Sequence, residues 1–135
     1  MIFLDSSFIV AYKIENDSHH EKAVKIINEI VEGKHGEAVI SDYIFDETIT
    51  VVFRRSNKLS LAIEVGNELK DSIEIITVDN LSFENSWKIF NDQDNKFSFT
   101  DCTIIDLMKR KDIKDIATFD EDFKKVNGIS VIGIP

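Results

Sequence analysis

Four acidic residues stand where acids are costly. Asp5 directly follows the apolar run Ile2-Phe3-Leu4, and Asp120 follows Ile116-Ala117-Thr118-Phe119. Asp101 heads the row Asp101, Ile104, Ile105, Met108, and Glu47 falls three residues after Ile44 and one before Thr48, at the edge of an apolar helix face. A carboxylate in line with a buried stripe costs several kcal/mol or takes up a proton unless something pairs with it. A bound cation removes that cost. Mg²⁺ takes oxygen ligands and is typically held by one or two carboxylates beside a phosphate. Held so, a metal can polarise a phosphoryl oxygen, lower the pKa of a water and stabilise a leaving oxygen, which is the chemistry of phosphodiester hydrolysis. A structural reading stands beside this one. Asp5 and Asp120 can each be an N-cap, Asp101 can complement the positive end of its helix, and Glu47 can be an exposed flank. Spacing leaves both open.

Two of these acids end strands, and in open α/β sheets ligands bind outside the carboxyl ends of the strands. The rest of the sequence supplies such a sheet. Ile2–Leu4 predicts a short strand and Ser6–Ile14 a helix. Ala23, Ile26, Ile27, Ile30 and Val31 recur at helical spacing and are closed by Gly33. Ala38–Ile40 predicts a second strand, with Ser41 or Asp42 capping the helix that carries Ile44, Phe45, Ile49, Val52 and Phe53. After the polar break Arg54–Lys58, a helix over about 59–69 leads into a strand at Ile73–Val78. Phe83, Trp87 and Phe90 mark a further helix face, read as core ahead of a base-stacking platform. Asn91–Lys96 reads as a loop and Thr100–Arg110 as a helix burying Ile104, Ile105 and Met108. Ile116–Phe119 is a strand, Glu121–Val126 a helical turn, and Ile129–Ile132 a last strand. Strands separated by helices imply right-handed crossovers and a mainly parallel sheet. The expected fold is a three-layer α/β/α sandwich on four or five strands, in one domain over residues 1–135.

The chain of 135 residues carries a formal charge of −9, with 43% hydrophobic residues, enough for a core. Its single cysteine, Cys102, excludes an intramolecular disulfide and a multi-cysteine zinc site, so a reducing, cytoplasmic setting is expected. The start lacks a basic n-region and no apolar run approaches the roughly 18 residues of a membrane span, so neither secretion nor insertion is expected. The acidic balance argues against a broad basic nucleic-acid footprint unless cations or a local basic rim compensate. Arg54, Arg55 and Lys58 form one basic run and Lys109, Arg110 and Lys111 another; both also suit helix C-termini. Asp106 is expected to be a solvating charge paired with Lys109 and Arg110. His19 and His20 read as first-turn residues rather than zinc ligands. Cys102 reads as a small apolar residue, Asp79 as a helix cap, and Asp122 as an exposed neighbour of the acidic set.

The segments Ile2-Phe3-Leu4-Asp5-Ser6-Ser7, Ser41-Asp42-Tyr43-Ile44-Phe45-Asp46-Glu47-Thr48, Ser98-Phe99-Thr100-Asp101-Cys102 and Ala117-Thr118-Phe119-Asp120-Glu121-Asp122-Phe123 occur in the order and rough separation of a PIN domain. The chain resembles PIN-domain ribonucleases, in particular VapC-type toxins of prokaryotic toxin–antitoxin pairs, and the resemblance covers its whole length. It implies an α/β/α sandwich that gathers acids around Mg²⁺ or Mn²⁺ and cuts RNA with a metal-activated water. By position, Asp5, Glu47, Asp101 and Asp120 match the acidic set, with Ser6 and Thr118 as supporting hydroxyls. The resemblance also implies a small antitoxin partner, expected on the helices near Ile44–Phe53 and Leu59–Leu69, and a toxin homodimer.

The leading expectation is therefore a divalent-metal-dependent endoribonuclease of the toxin type. Asp5, Asp101 and Asp120 would serve mainly as ligands, with Glu47 as a ligand or as the residue orienting water. The alternative is a catalytically inert PIN-fold binding or assembly module. A phosphoryl-transfer protein with an aspartyl nucleophile is a third reading, disfavoured because Ser7 stands where a second acid would be.

Overall fold

Strand β1 (Ile2–Leu4) is buried on both faces, which fits its unbroken apolar run and its central place in the sheet. The computed structural model describes residues 1–135. After β1 come α1 (Ser6–Lys13), α2 (His20–Val31), β2 (Ala38–Ser41), α3 (Asp42–Ser56), α4 (Leu59–Ser72) and β3 (Glu74–Ile76). The chain then continues through α5 (Asn80–Asp92), α6 (Phe99–Arg110), β4 (Asp115–Ala117), a 3₁₀ turn at Glu121–Lys125 and β5 (Ser130–Ile132). The five strands pair in the order β3-β2-β1-β4-β5, and every pairing is parallel.

Helices α1 to α4 pack on one another, as do α5 and α6. Right-handed crossovers put these two groups on opposite faces of the sheet, making the expected three-layer sandwich. From β1 the chain steps outward to β2 and β3, then returns to place β4 on the other side of β1. The topological switch point thus lies between β1 and β4.

Local chemistry explains the boundaries. Ser41 caps α3, its Oγ accepting the Ile44 N–H at 3.1 Å. Asn57 ends that helix in the left-handed region at φ 57°, which its short polar side chain tolerates, and so turns the polar break into a corner before α4. The strand expected over 73–78 is only three residues long: β3 is an edge, and beyond it the Val78 N–H is taken at 3.0 Å by Asp42 Oδ1 instead of a neighbouring strand. Asp79 caps α5 as expected, accepting the Ser82 N–H at 2.8 Å.

Three expectations fail. The Phe83, Trp87 and Phe90 row is not core; these rings are 45%, 51% and 38% exposed. Helix α5 instead buries Ser82 and Ser86, with Ile89 packed at the core's edge, while its half-exposed rings gather around Phe99 at the start of α6. Ser86 Oγ satisfies itself by donating to the Ser82 carbonyl at 2.6 Å. Asp106 is not a solvating charge either. It is buried, because α6 is covered on nearly all sides, and Arg110 Nε reaches its Oδ2 only at 4.0 Å. Asp122 is partly buried rather than exposed, beside Lys125 Nζ at 3.1 Å.

Candidate active site

Asp5 leaves the carboxyl end of β1 and is 5% exposed. Its Oδ1 accepts the Ser6 N–H at 2.8 Å, so it is the N-cap of α1. Its Oδ2 accepts from Thr118 Oγ1 at 2.7 Å and from Ser7 Oγ at 3.1 Å. Burial raises the Asp5 carboxyl to about 6; the Thr118 hydrogen bond opposes this and the charge of Asp101 adds to it.

Thr118 ties the two strand ends together. It follows β4, and its buried Oγ1 donates to Asp5 while accepting the Asp120 N–H at 3.0 Å. Asp120 is in turn the N-cap of the 3₁₀ turn, its Oδ1 accepting the Asp122 N–H at 2.9 Å. The Thr118 hydroxyl thus touches the carboxylate of one acid and the backbone of another.

Asp101 enters from the first turn of α6. Ser98 and Asp101 form a capping box: Ser98 Oγ accepts the Asp101 N–H at 3.0 Å, and Asp101 Oδ2 accepts the Ser98 N–H at 3.0 Å. Burial raises this carboxyl above the usual carboxylate range, the Ser98 bonds oppose it, and the charges of Asp120 and Glu47 add to it. Glu47 lies on the exposed flank of α3 beside the buried Ile44 and Thr48, and its Oε1 accepts the hydroxyl of Ser6. Asp101 is therefore coupled to each of the others: its charge acts on Asp5, and those of Asp120 and Glu47 act on it.

Capping and site formation coincide. Asp5, Asp101 and Asp120 all serve as helix-start acceptors, and all three are brought to the β1/β4 end of the sheet with Glu47. The donor set is entirely oxygen, and the crowded charges oppose one another, so a hard divalent cation fits its chemistry. No three of the acids already stand within one coordination shell.

Ser7 and Ser98 are not among the site residues the sequence reading names. Ser7 Oγ donates to Asp5 and accepts the Phe119 N–H at 3.2 Å, closing a hydroxyl bridge between β1 and β4. The Ser-x-x-Asp spacing of 98–101 is the signal that could have revealed Ser98. Other expectations hold. Cys102 is buried, burial pushing its thiol up to about 11 with the Asp101 charge adding, which leaves it no nucleophile's thiolate. His20 opens α2 with Nδ1 2.8 Å from the Ala11 carbonyl, and His19 stacks on Phe119 at 4.4 Å. Arg55 is paired with Asp17 at 2.8 Å and Arg110 with Asp79 at 3.4 Å, while Arg54 lines the groove beside Glu47 and Thr100.

Comparison with known proteins places the whole chain and its fold. The 23S rRNA-specific endonuclease VapC20 of Mycobacterium tuberculosis is 25% identical over 132 residues, 97% of this chain and 98% of that protein. The crystal structure of M. tuberculosis VapC20, described as a Sarcin-Ricin loop cleaving toxin, superposes with a TM-score of 0.83 at 26% identity, covering 94% of this chain and 95% of that one. VapBC2 from Rickettsia felis, bound to a DNA fragment from their promoter, shares the fold with a TM-score of 0.70 at 14% identity over 98% of both chains. The model of the PIN domain matches residues 2–129. A parallel sheet in this strand order, acids at its switch point and a family match over nearly the full length lead to one conclusion: the chain belongs to the PIN domain family.

Proposed function

We propose that this PIN-domain nuclease is a divalent-metal-dependent endoribonuclease, the toxin of a toxin–antitoxin pair, with Asp5, Glu47, Asp101 and Asp120 as its catalytic and metal-binding set. The convergence of these carboxylates at the β1/β4 switch point carries the reading, because the hydrogen bonds from Thr118, Ser7 and Ser98 still leave Asp5 and Asp101 above the usual carboxylate range.

Asp5, Asp101 and Asp120 would hold Mg²⁺ or Mn²⁺, and Glu47 would hold it or orient the attacking water. Bound there, the cation supplies charge stabilisation at phosphoryl and leaving oxygens and eases ionisation of water. The chain's own groups do the positioning. Ser6 holds Glu47, Thr118 and Ser7 hold Asp5 in one rotamer, and Ser98 holds one oxygen of Asp101, leaving its other oxygen free of hydrogen bonds to the chain. Because burial favours protonated Asp5, that carboxyl is mostly ionised only above about pH 6 unless a cation is bound.

RNA is the proposed substrate, and ribosomal RNA is the first to test, given the specificity named for VapC20. A small antitoxin is the proposed partner. Helices α3 and α4 offer it Phe53, Leu59 and Ile63, all exposed. A homodimer and a cytoplasmic location complete the proposal; no helix is long and apolar enough to cross a membrane.

The test is cleavage of a mixed RNA pool and of ribosomal RNA by the purified protein with Mn²⁺, Mg²⁺ or EDTA, beside Asp101→Asn prepared identically. Metal-dependent cuts lost in the variant are expected. Cleavage that survives both EDTA and the substitution would refute the assignment. Absence of cleavage and of metal binding in the unsubstituted protein would favour the inert binding module.

A further inference from the structure

We propose that a pocket beside the acidic site, walled by Arg55 and His19, binds the phosphate of an RNA nucleotide flanking the one that is cut; this rests on the nuclease reading. The pocket is a cavity of about 240 Å³, lined among others by Ser6, Ser7, Asp17, His19, Arg55 and Phe119. Asp17, in the loop between α1 and α2, builds its cationic wall. Its Oδ1 accepts the His19 N–H at 2.9 Å, and its Oδ2 accepts from Arg55 Nη1 at 2.8 Å. The His19 ring lies flat on Phe119, with centroids 4.4 Å apart and planes within 8°. One carboxylate and one ring thus hold both groups in place.

The donors of this wall exceed what the chain uses. Arg55 gives Nη1 to Asp17 and stays 41% exposed, which leaves the rest of its five-donor fork to the pocket and solvent. His19 is exposed and adds a ring N–H. Asp17 is the only acid lining the pocket, and both its oxygens are taken. It offsets the unit charge of Arg55 but not the direction of the remaining donors. A planar guanidinium fork held in one orientation matches the oxygens of a phosphate, and an ion pair this exposed adds little to stability by itself.

The other wall is shared with the acids. Ser6 gives its hydroxyl to Glu47 and Ser7 gives its own to Asp5, so a group in the pocket stands one side chain away from each. Glu47, Val51 and Arg55 fall at i, i+4 and i+8 of α3, which puts Arg55 about 12 Å along the helix from Glu47. Val51 also lines the groove that holds Glu47, Arg54 and Thr100, so the neighbours Arg54 and Arg55 serve two pockets that meet at Val51. This is a local basic rim on a chain of charge −9, placed where an anionic strand must cross the acids. A peptide carboxylate also fits a guanidinium fork, but RNA is favoured because one strand reaches both the metal-binding acids and the pocket.

The test is binding of a short labelled oligouridylate to the intact protein, in EDTA and in Ca²⁺, over a series of salt concentrations. Arg55→Gln should weaken binding about 10- to 100-fold and make the dependence of log Kd on log salt shallower by about 0.7. Arg55→Lys should restore the salt dependence but only part of the affinity, because a point charge lacks the fork. In Mn²⁺ with ribosomal RNA, the Arg55→Gln defect should fall mainly on KM. The double variant Asp17→Asn/Arg55→Gln removes the pair without leaving a lone carboxylate, and it should keep its Tm while binding as poorly as Arg55→Gln. Oligouridylate binding and salt slope unchanged in folded Arg55→Gln overturn the proposal. So does a binding loss that tracks Tm and is recovered in the double variant, since Arg55 is then only a strut for the loop. Displacement of the oligouridylate by oligoglutamate of equal length at equal affinity also overturns it, assigning the pocket to an acidic protein segment. The nuclease reading is scored separately in the same samples. Metal-dependent cleavage with KM unaltered by Arg55→Gln removes only the pocket, whereas an Arg55-dependent oligouridylate affinity without metal-dependent cleavage leaves the pocket and removes the nuclease.

Discussion

Ser98 and Asp101 hold each other through two reciprocal hydrogen bonds of 3.0 Å, so the carboxylate coupled to the other three acids is also the one that starts α6. The two roles can be separated experimentally. Ser98→Ala should cost about 1 kcal/mol of stability and reduce cleavage roughly 10- to 100-fold through a loosened carboxylate. Asp101→Asn keeps an acceptor for the Ser98 amide and should unfold near the unsubstituted protein, yet lose about 10²–10³ in turnover. Thermal unfolding beside RNA cleavage checks both. If the two variants lose stability and activity in the same proportion, Asp101 is only a cap.

Asp5 predicts a conflict between stability and function. Its carboxyl is raised from 3.8 to about 6 in the folded protein, so the folded state binds more protons than the unfolded one over that interval. Stability contributed by this group is therefore greatest at low pH and lost as pH rises from about 4 to about 6. A shift of this size corresponds to about 3 kcal/mol. In EDTA at neutral pH, Asp5→Asn should raise Tm while abolishing cleavage, and the gain should shrink at acidic pH. Mn²⁺ should raise the Tm of the unsubstituted protein more than that of the variant. A variant less stable than the parent at neutral pH would contradict the burial cost assigned here.

Thr118→Val preserves shape and removes the hydroxyl that serves Asp5 and the Asp120 amide. The amide left without a partner should cost about 1–3 kcal/mol. Asp5 loses the hydrogen bond that holds its pKa down, so the acid limb of the cleavage profile should move to higher pH. Thr118→Ser should restore both, and pH–rate profiles of the pair are the measurement.

Gly133 presses against the same strand end. Its φ is +123°, and a Cβ there would stand 2.7 Å from the Thr118 carbonyl oxygen, where the chain has no room to give. Gly133→Ala should cost about 1–3 kcal/mol and lower activity through Thr118. Gly128, at φ +82° with nothing within 4 Å, is the control. Its alanine variant should lose about 1–2 kcal/mol from backbone strain alone with cleavage kept. Urea unfolding of the two variants separates strain from collision.

Much of this molecule is written in local pattern. The apolar run 2–4 and its partners at 38–40 and 116–117 read as strands because a residue buried on both faces must be apolar at every position. Asp5 and Asp120 stood out because an acid that ends such a run is costly unless it is used. Helix α5 was equally legible, and its ring face was correctly found as an apolar stripe. Which face of α5 would be covered was not legible. Periodicity defines the faces of a helix, but burial depends on what the chain brings against them, and here the serine face of α5 is buried while its rings stay about half exposed. Asp106 went astray for the same reason: its i+4 partner Arg110 was visible in the sequence, but the layers closing over α6 were not. The acids themselves come from the ends of β1 and β4, the flank of α3 and the first turn of α6, segments far apart in the chain. Residue type marked each of them, and only the strand order, with β4 returning to the side of β1, brought their charges within reach of one another.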